Sequence, residues 1–159
     1  MMSRLRLTCL AIFLMGAISQ AKAQFPTDDG IWNLLLDDIT IRYRYSFKHE
    51  GFLPKPKFGD RLLEMNGQEV TISGFFLPAN ITGSSFVVSY YPMAMCFFCS
   101  GAGIESVVVM YAEDGEERRL SNLRTDDFIE VKGRLELNDD TDKNLFYILR
   151  DARWVKTYR

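Results

Sequence analysis

The hydrophobic period of the chain changes near residue 39. Before it, Ile31, Leu34 and Leu35 stand at helical spacing and predict a short helix. From there the period is two. Ile39, Ile41, Tyr43, Tyr45 and Phe47 alternate with Thr40, Arg42, Arg44 and Ser46, the pattern of a half-buried strand. His49 to Lys57 is rich in breakers and carries Pro54 and Pro56, so it is expected to run as an extended link. Asp60 to Met65 predicts one helical turn ahead of Asn66-Gly67.

The remainder alternates strands with turns. Gln68 to Leu77 is apolar at Val70, Ile72, Phe75 and Leu77, and its change of phase at Ser73-Gly74 predicts a bulge or bend. Pro78 to Ser84 reads as a turn, and Ser85 to Tyr90 and Ile104 to Ala112 as strands on either side of a loop. Asp114-Gly115 predicts a hairpin turn before Arg118 to Leu120. Phe128 to Leu137 alternates again with Gly133 at its centre, Asp139 to Asn144 is a charged turn, and Leu145 to Val155 closes the chain. Short strands with glycine bends inside the first and the fourth predict a mainly β fold that coils sharply: a small five-stranded OB-like barrel, with a β-sandwich as the alternative.

The N-terminus changes the picture by adding a compartment. Arg4 and Arg6 precede an apolar run from Leu7 to Ile18, and Ala21-Lys22-Ala23 places small residues before Gln24. These are the three parts of a secretory signal peptide, and the run is too short to span a bilayer. The expected organisation is therefore a leader over 1–23, an N-terminal arm over 24–60 and the barrel over 61–159. Cleavage after Ala23 removes 23 of the 159 residues and leaves 136, enough for a single core. The leader holds Arg4, Arg6 and Lys22 of the 19 basic residues and none of the 21 acidic ones, so the mature chain has a net charge of −5. A mildly acidic, exported domain is a poor nucleic-acid binder, which needs a basic face. No transmembrane segment is expected in the mature chain, and its location is expected to be periplasmic or secreted.

The runs NGQEVTISGFFLP, YPMAMCFFCSGAG and DDFIEVKGRLEL resemble an uncharacterised family of exported bacterial proteins with an OB-like barrel and a Cys-containing loop. The resemblance covers roughly Arg61 to Val155, and only the cysteine loop is distinctive. It implies fold and compartment and carries no activity.

Candidate chemistry is concentrated in that loop. Cleavage removes Cys9 and leaves Cys96 and Cys99, a C-x-x-C pair that an oxidising compartment favours as a disulfide. As a staple it is weak: closing about four residues is worth roughly 2 kcal/mol through unfolded-state entropy. Thiol–disulfide exchange is the second reading, with Cys96 as the attacking thiol. Exchange sites set their cysteines at a helix N-terminus, whereas Ser100-Gly101-Ala102-Gly103 is poor helix material. A soft-metal site is the third reading, with Cu(I) or Zn(II) as candidate ions. Its candidate ligands are Cys96 and Cys99, then Met95 and Met93, with His49, the single histidine of the chain, and Glu105 as outlying donors. Met93 and Met95 also suit gap-filling under a loop. The residues point first to a non-catalytic binding or accessory protein with an unidentified protein partner in the cell envelope, and second to a thiol–disulfide exchange protein.

Overall fold

The computed structural model describes residues 29–78 and 85–158; the expected leader and most of the expected 78–84 turn lie outside the described residues. The chain begins with helix α1 (Asp29–Asp37), whose Trp32, Leu34 and Leu35 are buried. It continues into strands β1 (Ile39–Ser46) and β2 (Gly51–Phe58), paired as an antiparallel hairpin from Ile39 opposite Phe58 to Ser46 opposite Gly51. The short helix α2 (Asp60–Met65) follows, held by the Leu62 N–H donating to the Asp38 carboxylate at 2.9 Å.

Five strands then form the barrel: β3 (Glu69–Leu77), β4 (Ser85–Ser89), β5 (Val107–Ala112), β6 (Phe128–Leu137) and β7 (Tyr147–Tyr158). Their order around the closed barrel is β3-β4-β5-β7-β6, with β6 returning to β3. β5 and β7 run parallel and every other neighbouring pair is antiparallel. This is an OB-like barrel, with closure removing the sheet edges.

Both expected bends lie on this path. β3 pairs β6 from Glu69 to Phe75 and β4 from Phe75 to Leu77, so it changes partner beside Gly74. A Cβ on Gly74 would come 2.6 Å from the Ser89 carbonyl oxygen. At Gly133 the β6–β7 register shifts, and a Cβ there would come 2.7 Å from the Arg150 carbonyl oxygen. The two glycines let neighbouring strands approach where the barrel coils.

Two local expectations are corrected. The proline-bearing link is strand β2. Pro54 and Pro56 stand opposite Tyr43 and Ile41, and alternate pairs of an antiparallel ladder need no exchanged hydrogen bonds, so their missing N–H groups cost the hairpin nothing. Arg118 to Leu120 belong to helix α4 (Glu117–Ser121), because β5 lies between β4 and β7 in the barrel and does not pair with β6, the next strand in the chain, so no hairpin can join them. Leu120 buries the inner face of that helix, and Glu116 pairs with Arg119 at 3.2 Å outside.

The core runs through Ile72, Val87, Val109, Val131 and Leu149, and it includes the arm. The Trp32 indole N–H donates to the Ser73 carbonyl at 2.7 Å, and the Tyr147 hydroxyl donates to the Leu35 carbonyl at 2.7 Å. Among the described residues, no helix is long and apolar enough to cross a membrane.

Candidate functional site

Strand β4 delivers the cysteine loop and β5 takes it back. The loop leaves through Tyr90, whose N–H donates to the Ser106 carbonyl at 2.9 Å, so its two ends are tied together. Pro92 opens a single 3-10 turn over Met93–Met95, with the Met95 N–H on the Pro92 carbonyl. Cys96 is extended and serves as N-cap residue for the four-residue helix α3 (Phe97–Ser100). Gly101, at φ 77°, ends that helix in the left-handed region that glycine enters without strain. The glycines that argued against a helix in the sequence therefore terminate a very short one.

The two thiols have opposite surroundings. Cys96 is fully buried, within the hydrophobic core, and Cys99 is exposed one turn later. Both are free thiols, close enough to perturb each other. Partial desolvation of its sulfur, then the adjacent Cys96, then the negative charge of Asp126 push the Cys99 thiol above the ordinary thiol range. An exchange site with Cys96 attacking needs an accessible first cysteine, and here the first is the buried one. One turn of helix also supplies little dipole to stabilise a thiolate.

Asp126 had no place among the expected site residues. It sits in the β5–β6 connection at φ 65° and accepts a 2.6 Å hydrogen bond from the Met93 N–H, tying that connection to the loop. Its sequence context, an Asp pair before a strand, reads as an ordinary turn, and only the barrel's closure carries it to the loop.

The remaining candidates divide. Met93 is half-buried and packs on the core; Met95 is 57% exposed. Phe97 packs on the core and Phe98 is exposed, their rings meeting edge to face at 5.3 Å. Glu105 lies on the returning limb and lines a cleft of about 410 Å³ with Leu36, Tyr91 and Met95. Its Oε2 is buried without a hydrogen-bond partner, and a Cβ on Gly103 would overlap its carboxylate. His49 is elsewhere, at the tip of the β1–β2 hairpin, 3.3 Å from Asp142. Among the described residues, no three His, Cys, Asp or Glu side chains converge as a metal-binding group, so neither His49 nor Glu105 joins the thiols. Of the expected ligands outside the pair, Met95 is adjacent to it in sequence and, like Cys99, exposed.

Comparison with protein-family models and with curated proteins finds no match for this chain.

Proposed function

We propose that this is an exported, non-catalytic binding or accessory module of the cell envelope, in which Cys96 and Cys99 close as a disulfide that sets one lip of the Glu105 cleft. The observation that carries the reading is the placement of a buried Cys96 and an exposed Cys99 one helical turn apart in a single short loop. Separated by two residues, the pair is well placed to close on itself, and a buried Cys96 is badly placed to attack an outside disulfide. The resemblance to exported barrel proteins with a Cys loop, together with the leader, supports the oxidising location. There a disulfide-donating oxidase takes the two electrons and two protons that the thiols lose. The cleft beside the lip is apolar at Leu36 and Met95 and has one unpaired carboxylate oxygen, the composition of a small binding site rather than of a hydrolytic centre.

The soft-metal form is the second reading, favoured by the exposure of Met95 next to the pair. Cu(I) suits two thiolates and a thioether.

The deciding experiment is the intact mass of protein exported to a bacterial periplasm, taken natively and after denaturation with a thiol-alkylating reagent. A denatured chain two hydrogens light that takes up no reagent establishes the disulfide. Two alkylated thiols, with a copper or zinc ion on the native mass, overturn it in favour of the metal. A mixed disulfide trapped in Cys96→Ser or Cys99→Ser protein and absent from wild type would move the reading to exchange.

A further inference from the structure

The β1–β2 hairpin forms a two-stranded sheet of its own beside the barrel, and its two edges are treated differently. Alternate pairs of an antiparallel ladder point their N–H and C=O groups outward. Because Pro54 and Pro56 can donate nothing, the pairs they form with Tyr43 and Ile41 are the outward-pointing ones. The outer edge of β2 thus lacks donors at two positions, and the β6–β7 loop covers it: the Thr141 hydroxyl donates to the Pro54 carbonyl at 2.9 Å and Lys55 Nζ to the Asp139 carbonyl at 3.1 Å. β1 has neither protection. Among the described residues it pairs with β2 alone, so the backbone groups of Ile41, Tyr43 and Tyr45 face outward along an open edge.

The side chains along that edge state what would complete it. On one face Tyr43, Tyr45 and Phe52 are 67%, 51% and 69% exposed, with Phe47 at 89% beside them. On the other face Arg42 and Arg44 are exposed next to Lys55 and Lys57, and among the described residues neither arginine has a carboxylate partner. A basic stripe on a chain of formal net charge −2 is a local feature with its own complement. Pairing of β1 with a second copy is disfavoured by this pattern: the two longest registers that match outward groups set Arg42 opposite Arg42 or Arg44, and like charges directly across a ladder repel.

We propose that the free edge of β1 is a strand-docking site for an extended acidic segment of a partner protein, whose alternate residues are apolar against Tyr43 and Tyr45 and acidic against Arg42 and Arg44. Backbone pairing supplies affinity and the alternating faces supply register. This surface is separate from the cysteine loop and does not depend on its redox state.

The probe is an N-acetylated, C-amidated Val-Glu octapeptide, with its Val-Lys counterpart as control, titrated into the full protein by calorimetry. Tyr43→Pro removes one outward N–H while leaving the β1–β2 ladder intact, and circular dichroism verifies the fold. The expected result is saturable binding of the glutamate peptide, weakened about tenfold or more by Tyr43→Pro. In Arg42→Glu/Arg44→Glu protein the preference should reverse to the lysine peptide. Absence of saturable binding to folded wild-type protein overturns the proposal. So does a dimer in sedimentation that Tyr43→Pro dissolves, which assigns the edge to a second copy. Co-sedimentation with anionic phosphatidylglycerol vesicles, unchanged in Tyr43→Pro and without peptide binding, assigns the hairpin to lipid and also overturns it.

Discussion

Trp32 and Ser73, 41 residues apart, are joined by a buried 2.7 Å hydrogen bond from the indole N–H to the backbone carbonyl, one position before the glycine at which β3 bends. The tryptophan also meets Tyr90 with ring centroids 5.6 Å apart, at the mouth of the cysteine loop. One side chain of the arm therefore braces both a bend of the barrel and the start of the candidate site. Trp32→Phe retains most of the packing but strands the Ser73 carbonyl, at an expected cost of about 1–3 kcal/mol. Trp32→Ala is expected to cost about 3–5 kcal/mol. Urea unfolding separates the two, and a smaller loss for Ala than for Phe would contradict the brace.

Gly133→Ala forces a methyl to within 2.7 Å of the Arg150 carbonyl oxygen and 2.8 Å of Leu149. Overpacking of this kind typically costs about 1–3 kcal/mol, and here the obstacle is backbone that cannot rotate away. Gly101→Ala meets nothing within 4 Å and pays only for its positive φ, about 1–2 kcal/mol. Gly133→Ala should accordingly broaden the β6–β7 amide signals in an NMR spectrum, and Gly101→Ala should leave them unchanged.

Tyr147 has a pH signature. Burial first, then Glu105 and Asp38, push its phenol far above the usual range. The unfolded phenol ionises near pH 10, so above that value the unfolded chain binds fewer protons and stability falls as pH rises; below it this group contributes no slope. Tyr147→Phe leaves the Leu35 carbonyl without its donor, costs about 1 kcal/mol near neutrality, and flattens the alkaline slope. Unfolding free energies measured across roughly pH 8 to 11.5 test both parts. An equal alkaline slope in the two proteins would rule the assignment out.

For the reduced protein, the raised Cys99 pKa predicts alkylation slower than that of free cysteine at the same pH, with a midpoint above that of free cysteine. Asp126→Asn keeps an acceptor for the Met93 N–H while deleting the charge, and should move the midpoint of the pH–rate profile down. The same sign governs stability: the unfolded thiol ionises first, so the reduced protein weakens as pH climbs past the ordinary thiol range. A midpoint unmoved by Asp126→Asn would remove the aspartate from the site.

The exposed aromatics of the hairpin are not part of the core, and Phe47→Ser and Phe52→Ser are each expected to change stability by less than about 0.5 kcal/mol. A thermal melt that falls by several degrees for either would mean that the hairpin packs more firmly than its exposure indicates.

Much of this architecture was legible in the chain. The alternation in Gln68–Leu77 and Phe128–Leu137, with glycine at the centre of each, anticipates two coiled barrel strands, because period and bend are both local properties. The helix of the arm was visible from Ile31, Leu34 and Leu35. Prolines 54 and 56 misled, since a proline is compatible with a strand only when its position faces outward, and facing is decided by the partner's register. Arg118–Leu120 misled for a related reason: whether Asp114-Gly115 closes a hairpin depends on which strand β5 meets next. In the cysteine loop the pair itself was evident. The burial of Cys96, the exposure of Cys99 and the approach of Asp126 follow from how the β5–β6 connection folds back, which no window around residue 96 contains.

The contact between Tyr147 and Leu35 spans 112 positions. β7, which brings Tyr147, is the last of the described strands and pairs with both β5 and β6. During synthesis Leu35 therefore emerges well before its partner and cannot find its seat until β7 has been made. Loop closure over that distance is slow relative to the local hairpins, so docking of the arm belongs at the end of folding. An interrupted chain that lacks its final strand leaves the arm's apolar face in water, an open invitation to chaperone or protease.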